Sequence, residues 1–142
     1  MTENIDQGGT IPFELQNLTA LYFIANEMGR IGSSIPTQFG NLANLSFIDF
    51  DFQMLTGTIP EQIYFLTNMS SIDLNDNKLT GTISNNIGNL KKLFFLQLGN
   101  QRDGQNAFSG TIPAGLGTLP VLCKCSCVCM MNDLPWKFDA ID

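Results

Sequence analysis

The sequence predicts an α/β solenoid, in which short parallel strands stack into one sheet and each returns through a short 3-10 or irregular segment on the opposite side. Three observations predict it. The pair Ile11-Pro12 recurs as Ile35-Pro36, Ile59-Pro60, Ile83-Ser84 and Ile112-Pro113, at spacings of 24, 24, 24 and 29. A second set of apolar positions keeps that register: Leu18, Leu21, Ile24; Leu42, Leu45, Ile48, Phe50; Leu66, Met69, Ile72, Leu74; Leu90, Leu93, Leu96, Leu98. Finally, 142 residues with 44% hydrophobic and 14% charged side chains leave room for one domain with ample surface to bury.

Each part of the unit has a physical reason. It reads L-x-x-L-x-x-L-x-L-x-x-N-x-L-T-G-x-I-P, clearest from Leu66 through Asn77, Leu79, Thr80, Gly81 and Ile83. The alternating pair that ends each leucine run points two side chains the same way from a short strand, and stacked copies pair those strands in parallel. Each coil buries its leucines only against its neighbours. The polar residue after the strand, Asn77 and Asn106 in the good copies, can hydrogen-bond backbone groups of the adjoining turn that are otherwise buried unpaired. The proline fixes φ where the returning segment begins and a missing N–H costs little.

These coils resemble the plant-type, 24-residue leucine-rich repeat from Gly9 to Leu122, and the chain is similar to receptor-like or secreted repeat proteins of plants and diatom-like algae. The resemblance implies a right-handed leucine-rich-repeat superhelix with a concave parallel sheet, short convex 3-10 segments and ligands held on the concave face. The expected organisation is a partial, uncapped first repeat at 1–17 and four repeats at 18–41, 42–65, 66–89 and 90–118. A degenerate last repeat with a Cys-rich cap or tail follows at 119–142. Departures predict less regular early coils: Asn26 stands at an inward apolar position, Gly29 where the ladder asparagine belongs, and Gln53 at the same place one coil on. The segment GNQRDGQNA carries five extra residues, predicting a bulge beside the end of the strand.

Neither end reads as a complete cap. The amino terminus enters in mid-repeat, and the paired-cysteine cap of extracellular plant-type members is absent, which favours a piece of a longer protein. At the other end Cys123, Cys125, Cys127 and Cys129 alternate, with Cys125 and Cys127 in the inward strand register. They are assigned structural roles, as small core fillers or cap disulfides. Four thiolates at C-x-C spacing resemble metallothionein clusters, yet an extended strand cannot wrap them around one zinc and C-x-x-C spacing is missing, so no metal or other cofactor is expected. Trp136 and Phe138 are positioned to cover the open end, or belong to a frayed tail.

Function is bounded by charge and by missing residue types. Seven basic against thirteen acidic side chains give −6, which repels phosphate backbones, so nucleic acid is not an expected partner. No histidine is present, which removes the commonest general base and the usual catalytic triad. Gly115 and Gly117 lack the G-K-S/T of a phosphate loop, and no catalytic residue is proposed. No basic-then-apolar leader opens the chain and no apolar run is long enough to insert in a bilayer. An extracellular or membrane-attached setting within a longer protein is nevertheless favoured. Acceptors for glycosylation at Asn17, Asn44 and Asn68 agree with secretion.

The outward strand positions form columns on the concave face. One runs Phe23, Phe47, Ser71, Phe95, Lys124; the next Ala25, Asp49, Asp73, Gln97, Ser126; a third begins Glu27, Asp51, Asn75. Phe23, Phe47, Phe95, Glu27, Asp49, Asp51 and Asp73 are the candidate ligand-binding residues, because rings supply desolvated anchors and carboxylates select cationic or hydroxyl-rich ligands. A peptide, protein or polysaccharide is the expected partner. The alternatives are rings that shield one another with acids for solubility, a scaffold subunit docked in a larger assembly, and ice binding through Thr10, Ser34, Thr58, Thr82 and Thr111, which share one position.

Overall fold

The computed structural model describes residues 9–26, 30–99 and 105–120. Strands β1 (Phe23–Ala25), β2 (Phe47–Asp49), β4 (Ser71–Asp73) and β6 (Phe95–Gln97) form a four-stranded parallel sheet in the order β1-β2-β4-β6. The register sets Phe23, Phe47, Ser71 and Phe95 side by side, and Ala25, Asp49, Asp73 and Gln97 two residues further on. Equal repeat length produces this alignment, since each 24-residue circuit returns the chain to the same height.

A second, three-stranded sheet joins β3 (Thr56–Gly57), β5 (Lys78–Gly81) and β7 (Ala107–Phe108). The glycine that follows Thr56, Thr80 and Ser109 turns this edge toward the returning segment. Gly57, Gly81 and Gly110 have φ of +79°, +85° and +91°, a region that costs other residues energy. At Gly81 a Cβ would stand 2.7 Å from the Thr58 Cγ2 of the preceding coil, so coil spacing as well as backbone angle requires glycine there.

The return runs through 3-10 helices at Phe13–Asn17, Thr37–Asn41, Glu61–Phe65, Asn85–Asn89 and Ala114–Thr118. Pro12, Pro36, Pro60 and Pro113 start four of them at φ between −63° and −66°. Ser84 does the same work by another route: its hydroxyl oxygen accepts from the Asn86 amide at 3.2 Å and the hydroxyl donates to Glu61 Oε1 at 2.8 Å. Leu42, Leu66 and Leu90 close their helices by donating to the carbonyl three residues back, and Leu45, Met69 and Leu93 then donate to those leucines at 2.8 Å. Two successive three-residue turns explain the L-x-x-L spacing, because residues three apart in such turns eclipse and both face inward.

The core lies between the sheet and these helices. Leu66, Met69, Ile72, Leu74 and Leu79 are all buried, each removal from water contributing about 1.5–3 kcal/mol. Leu21, Ile24 and Ile31, at equivalent positions in the first full coil, are half-buried. Only a half-coil stands on their other side among the described residues.

An asparagine ladder ties turn to turn. Asn77 Oδ1 accepts from the Leu55 amide at 2.9 Å, while its Nδ2 donates to the carbonyls of Phe50, Leu74 and Asn75. Asn106 repeats this one coil later, accepting from the Leu79 amide at 2.9 Å and donating to the carbonyl of Leu74 at 2.8 Å. The irregularity expected at Gln53 does not appear. Its Oε1 accepts from the Ile31 amide at 3.2 Å, and its Nε2 donates to the carbonyls of Asn26 and Asp51. Gln53 holds the rung that asparagine holds elsewhere, and its extra methylene lets the amide reach. Asn26 is exposed and binds Gln53 instead of entering the core; Gly29 lies outside the described residues.

The insertion is fastened at both flanks. Gly99 donates to Asn75 Oδ1 at 2.9 Å and accepts from the Asp76 amide, and Gln105 donates to the Asn77 carbonyl at 2.7 Å. Residues 100–104 lie outside the described residues, but the ladder resumes at Asn106 in register.

Candidate functional site

The outward face of the four-stranded sheet gathers most of the candidate residues that the structure describes. Phe23 is 48% exposed, and Phe47 and Phe95 are half-buried. Parallel pairing brings the Phe23 and Phe47 rings to 6.0 Å between centroids at 49°, so these two do shield one another as cross-strand neighbours. The row then breaks, because Ser71 occupies the next strand and Phe95 the one after.

Two residues further along each strand the face turns acidic. Asp49 and Asp73 are directly opposite one another on neighbouring strands, both half-buried. Asp73 Oδ1 accepts from the Asn75 amide at 3.1 Å, and Asp49 Oδ1 from the Asp51 amide at 3.5 Å. Burial pushes the Asp73 carboxyl up to about 6, with the charges of Asp49, Asp51 and Asp76 adding and the Asn75 amide opposing. A cation delivered here would relieve the like-charge repulsion between Asp73 and Asp49.

Neither the third column nor the far end of the second is an open surface. Asn75 of the third column and Gln97 of the second, both placed on the concave face by strand alternation, are buried at 1% and 8% exposure. Asn75 Nδ2 donates to Gln97 Oε1, and Asn75 Oδ1 accepts from Gly99, so the pair closes the turn that precedes the insertion. For Asn75 alternation fails because its strand has ended at Asp73, whereas Gln97 is the last residue of β6 and is covered by its contact with Asn75. Asp51 is half-buried beside this turn. Glu27, Lys124 and Ser126 lie outside the described residues, as do Cys123, Cys125, Cys127, Cys129, Trp136 and Phe138.

The structure also adds groups that strand alternation does not flag. Tyr22 and Phe94, immediately before β1 and β6, are 65% and 45% exposed, and widen the aromatic margin at two of the coils. Asp76 is buried with φ +50°. Its signal is the N-D-N run, since aspartate tolerates the left-handed region better than most residues. Away from the sheet, Thr10, Ser34, Thr58, Thr82 and Thr111 are all exposed. Of the glycosylation acceptors, Asn17 and Asn44 are exposed, and Asn44 and Asn68 donate to carbonyls of the preceding coil at 2.9 and 3.0 Å. Among the described residues no group of acids and cysteines could hold a metal ion, and no helix is long and apolar enough to cross a membrane.

The Leucine Rich Repeat family model matches residues 68–90, the coil in which the motif is clearest. No curated protein matches the chain. Solved structures do. A TDR receptor is 32% identical, with a TM-score of 0.73 over 81% of this chain and 19% of that one. The ectodomain of the Arabidopsis receptor kinase HAESA, solved with an IDA peptide hormone ligand, is 34% identical at TM-score 0.71, over 81% and 19%. These repeats are leucine-rich repeats of the plant type. The leucine-rich-repeat ectodomain of the receptor kinase SOBIR1 from Arabidopsis thaliana is also similar, at 27% identity and TM-score 0.72, over 82% of this chain and 60% of that one. This leucine-rich-repeat chain spans about a fifth of the length of the first two receptor structures.

Proposed function

We propose that this leucine-rich-repeat chain is a recognition module that holds a cationic peptide or protein segment on the outward face of its four-stranded sheet, in an extracellular, receptor-like setting, without catalysing a reaction. The observation that carries the reading is the row Asp49–Asp73, two carboxylates facing each other beside the half-buried Phe47 and Phe95, with only further carboxylates among the charges of the described residues acting on Asp73. A face built for solubility alone has no need to half-bury an acid beside another until it resists ionisation. Rings within reach supply the desolvated contact that makes a charge pair worth more than it is in open water. The receptor ectodomains above include one solved with a peptide hormone, which supports a peptide as the ligand class.

The test is binding of the purified chain to arrays of basic peptides and of neutral oligosaccharides, comparing wild type with a Phe47→Ala/Asp49→Asn/Asp73→Asn variant. Saturable peptide binding that the variant loses supports the reading. Equal binding by both proteins, or none by either, refutes it and leaves a scaffold docked in a larger assembly as the better account.

A further inference from the structure

The break in the aromatic row makes a slot. Ser71 lies between Phe47 and Phe95 in the parallel register, and strands in such a sheet are about 4.8 Å apart, so the two phenylalanines are separated by about 9–10 Å at the backbone. Three stacked planar layers need two contacts of about 3.5–4.0 Å, or about 7–8 Å between the outer rings, whereas four layers need more than the slot offers. The backbone spacing leaves room for one planar group between the two rings. Phe23 and Phe47 fill the corresponding space on the other side with their own ring contact, so the slot occurs once in the described sheet.

The far end of the slot is charged. Asp73 follows Ser71 by two residues on the same strand and points to the same face, about 6–7 Å along, with Asp49 beside it on the neighbouring strand. Gln97, on the other side, is buried, its Oε1 accepting from Asn75 Nδ2. Aromatic walls select a flat, polarisable group, and a carboxylate at the end selects one that carries positive charge and donates in its own plane. A guanidinium meets all three requirements; an ammonium is not planar, and a neutral ring does not satisfy the acid.

We propose that the space over Ser71 is an arginine subsite: a guanidinium of the bound peptide stacks between Phe47 and Phe95 and directs its N–H groups to Asp73 and Asp49. This rests on the concave-face reading above and specifies which side chain that face selects. The Ser71 hydroxyl is small and half-buried, so it forms a floor without filling the gap.

The test uses the full chain and fluorescein-labelled nonapeptides in which the central residue is arginine, lysine or citrulline within a constant lysine-containing flank. The arginine peptide is expected to bind about tenfold tighter than the lysine or citrulline peptides. S71F places a ring at a position where two neighbouring coils already carry one, so it should fold with an unchanged urea midpoint. It should weaken the arginine peptide about tenfold and leave the other two within about twofold. If the three peptides bind equally tightly, or S71F weakens all of them alike, the subsite is wrong while peptide recognition by this face stands. If no peptide binds wild type, both fall.

Discussion

Removing the Asn77 side chain should cost more than removing any exposed group on this molecule. Asn77 is 1% exposed and its amide serves four backbone groups in two coils. Two of these have substitutes in Asn77→Ala: the Leu74 carbonyl still accepts from Asn106 Nδ2 at 2.8 Å, and the Asn75 carbonyl from the Phe52 amide at 3.2 Å. The Leu55 N–H and the Phe50 carbonyl lose the only partners the ladder gives them. A buried backbone group left without a hydrogen bond costs about 1–3 kcal/mol, so the pair predicts a loss of about 3–4 kcal/mol. Against a typical domain stability of about 5–15 kcal/mol this is a large fraction. Urea unfolding followed by circular dichroism measures it as a fall in midpoint at constant m-value. Gln53→Ala is the internal comparison. Its rung lies beside the half-buried first coil, where water can replace lost bonds, and the loss there should be about 1–2 kcal/mol. A loss below about 1 kcal/mol for Asn77→Ala, or equal losses at the two sites, would show that the ladder is decorative and that leucine packing alone holds the coils in register.

Gly57 and Gly81 share a positive φ but differ in their surroundings. Gly57→Ala should cost about 1 kcal/mol from backbone strain alone, and Gly81→Ala about 2–3 kcal/mol because the Thr58 methyl must also move; equal urea midpoints would refute the steric part. Asp73 binds its proton more tightly in the folded chain, about 6 against the ordinary 3.8, so the folded state holds the extra proton across that window. Its contribution to stability is therefore present below about pH 4 and is lost as the pH rises through about 6. Asp73→Asn should remove that slope and stabilise the chain at pH 7 by about 1 kcal/mol after allowance for solvent screening; an unchanged pH profile of the thermal midpoint would contradict it. The same titration predicts that cationic peptide binding strengthens between pH 5 and pH 7, measurable by fluorescence anisotropy, and that the slope disappears in Asp73→Asn.

Most of the fold was legible because the repeat states each requirement several times. The inward positions, the Ile-Pro starts and the ladder asparagines recur at fixed spacing, and a feature repeated in register is a tertiary constraint written in one dimension. Where the reading and the structure part, a local substitution is answered by a local adjustment that spacing does not encode. Gln53 looked like a lost rung and is a longer one. Asn75 looked outward because strand alternation was extended past the last residue of its strand, and Gln97, still within β6, is buried by the hydrogen bond it shares with Asn75. Phe47, Asp49 and Asp73 could be placed on one face by counting, but the ring contact of Phe23 with Phe47 and the elevated Asp73 carboxyl depend on distances that counting does not supply.

The contrast between Gln53 and Ser71 separates structural departures from the repeat from informative ones. Both break a column: Gln53 an inward polar rung, Ser71 an outward aromatic row. The departure at Gln53 is compensated within the chain, since its amide reaches the Ile31 N–H and the Asn26 carbonyl and the coil keeps its geometry. The departure at Ser71 is not compensated. Phe95 gains no ring neighbour across the gap, and Asp73 and Asp49 beside it keep their mutual repulsion. Inward positions are held by packing on both sides, so a substitution there must be repaired or the coil is lost. Outward positions carry no such demand, and a row that folding would accept complete has been left open beside two crowded carboxylates. Among the described residues that combination sets a gap in the row and a pair of carboxylates at one place on the sheet, and a single planar cation would answer both.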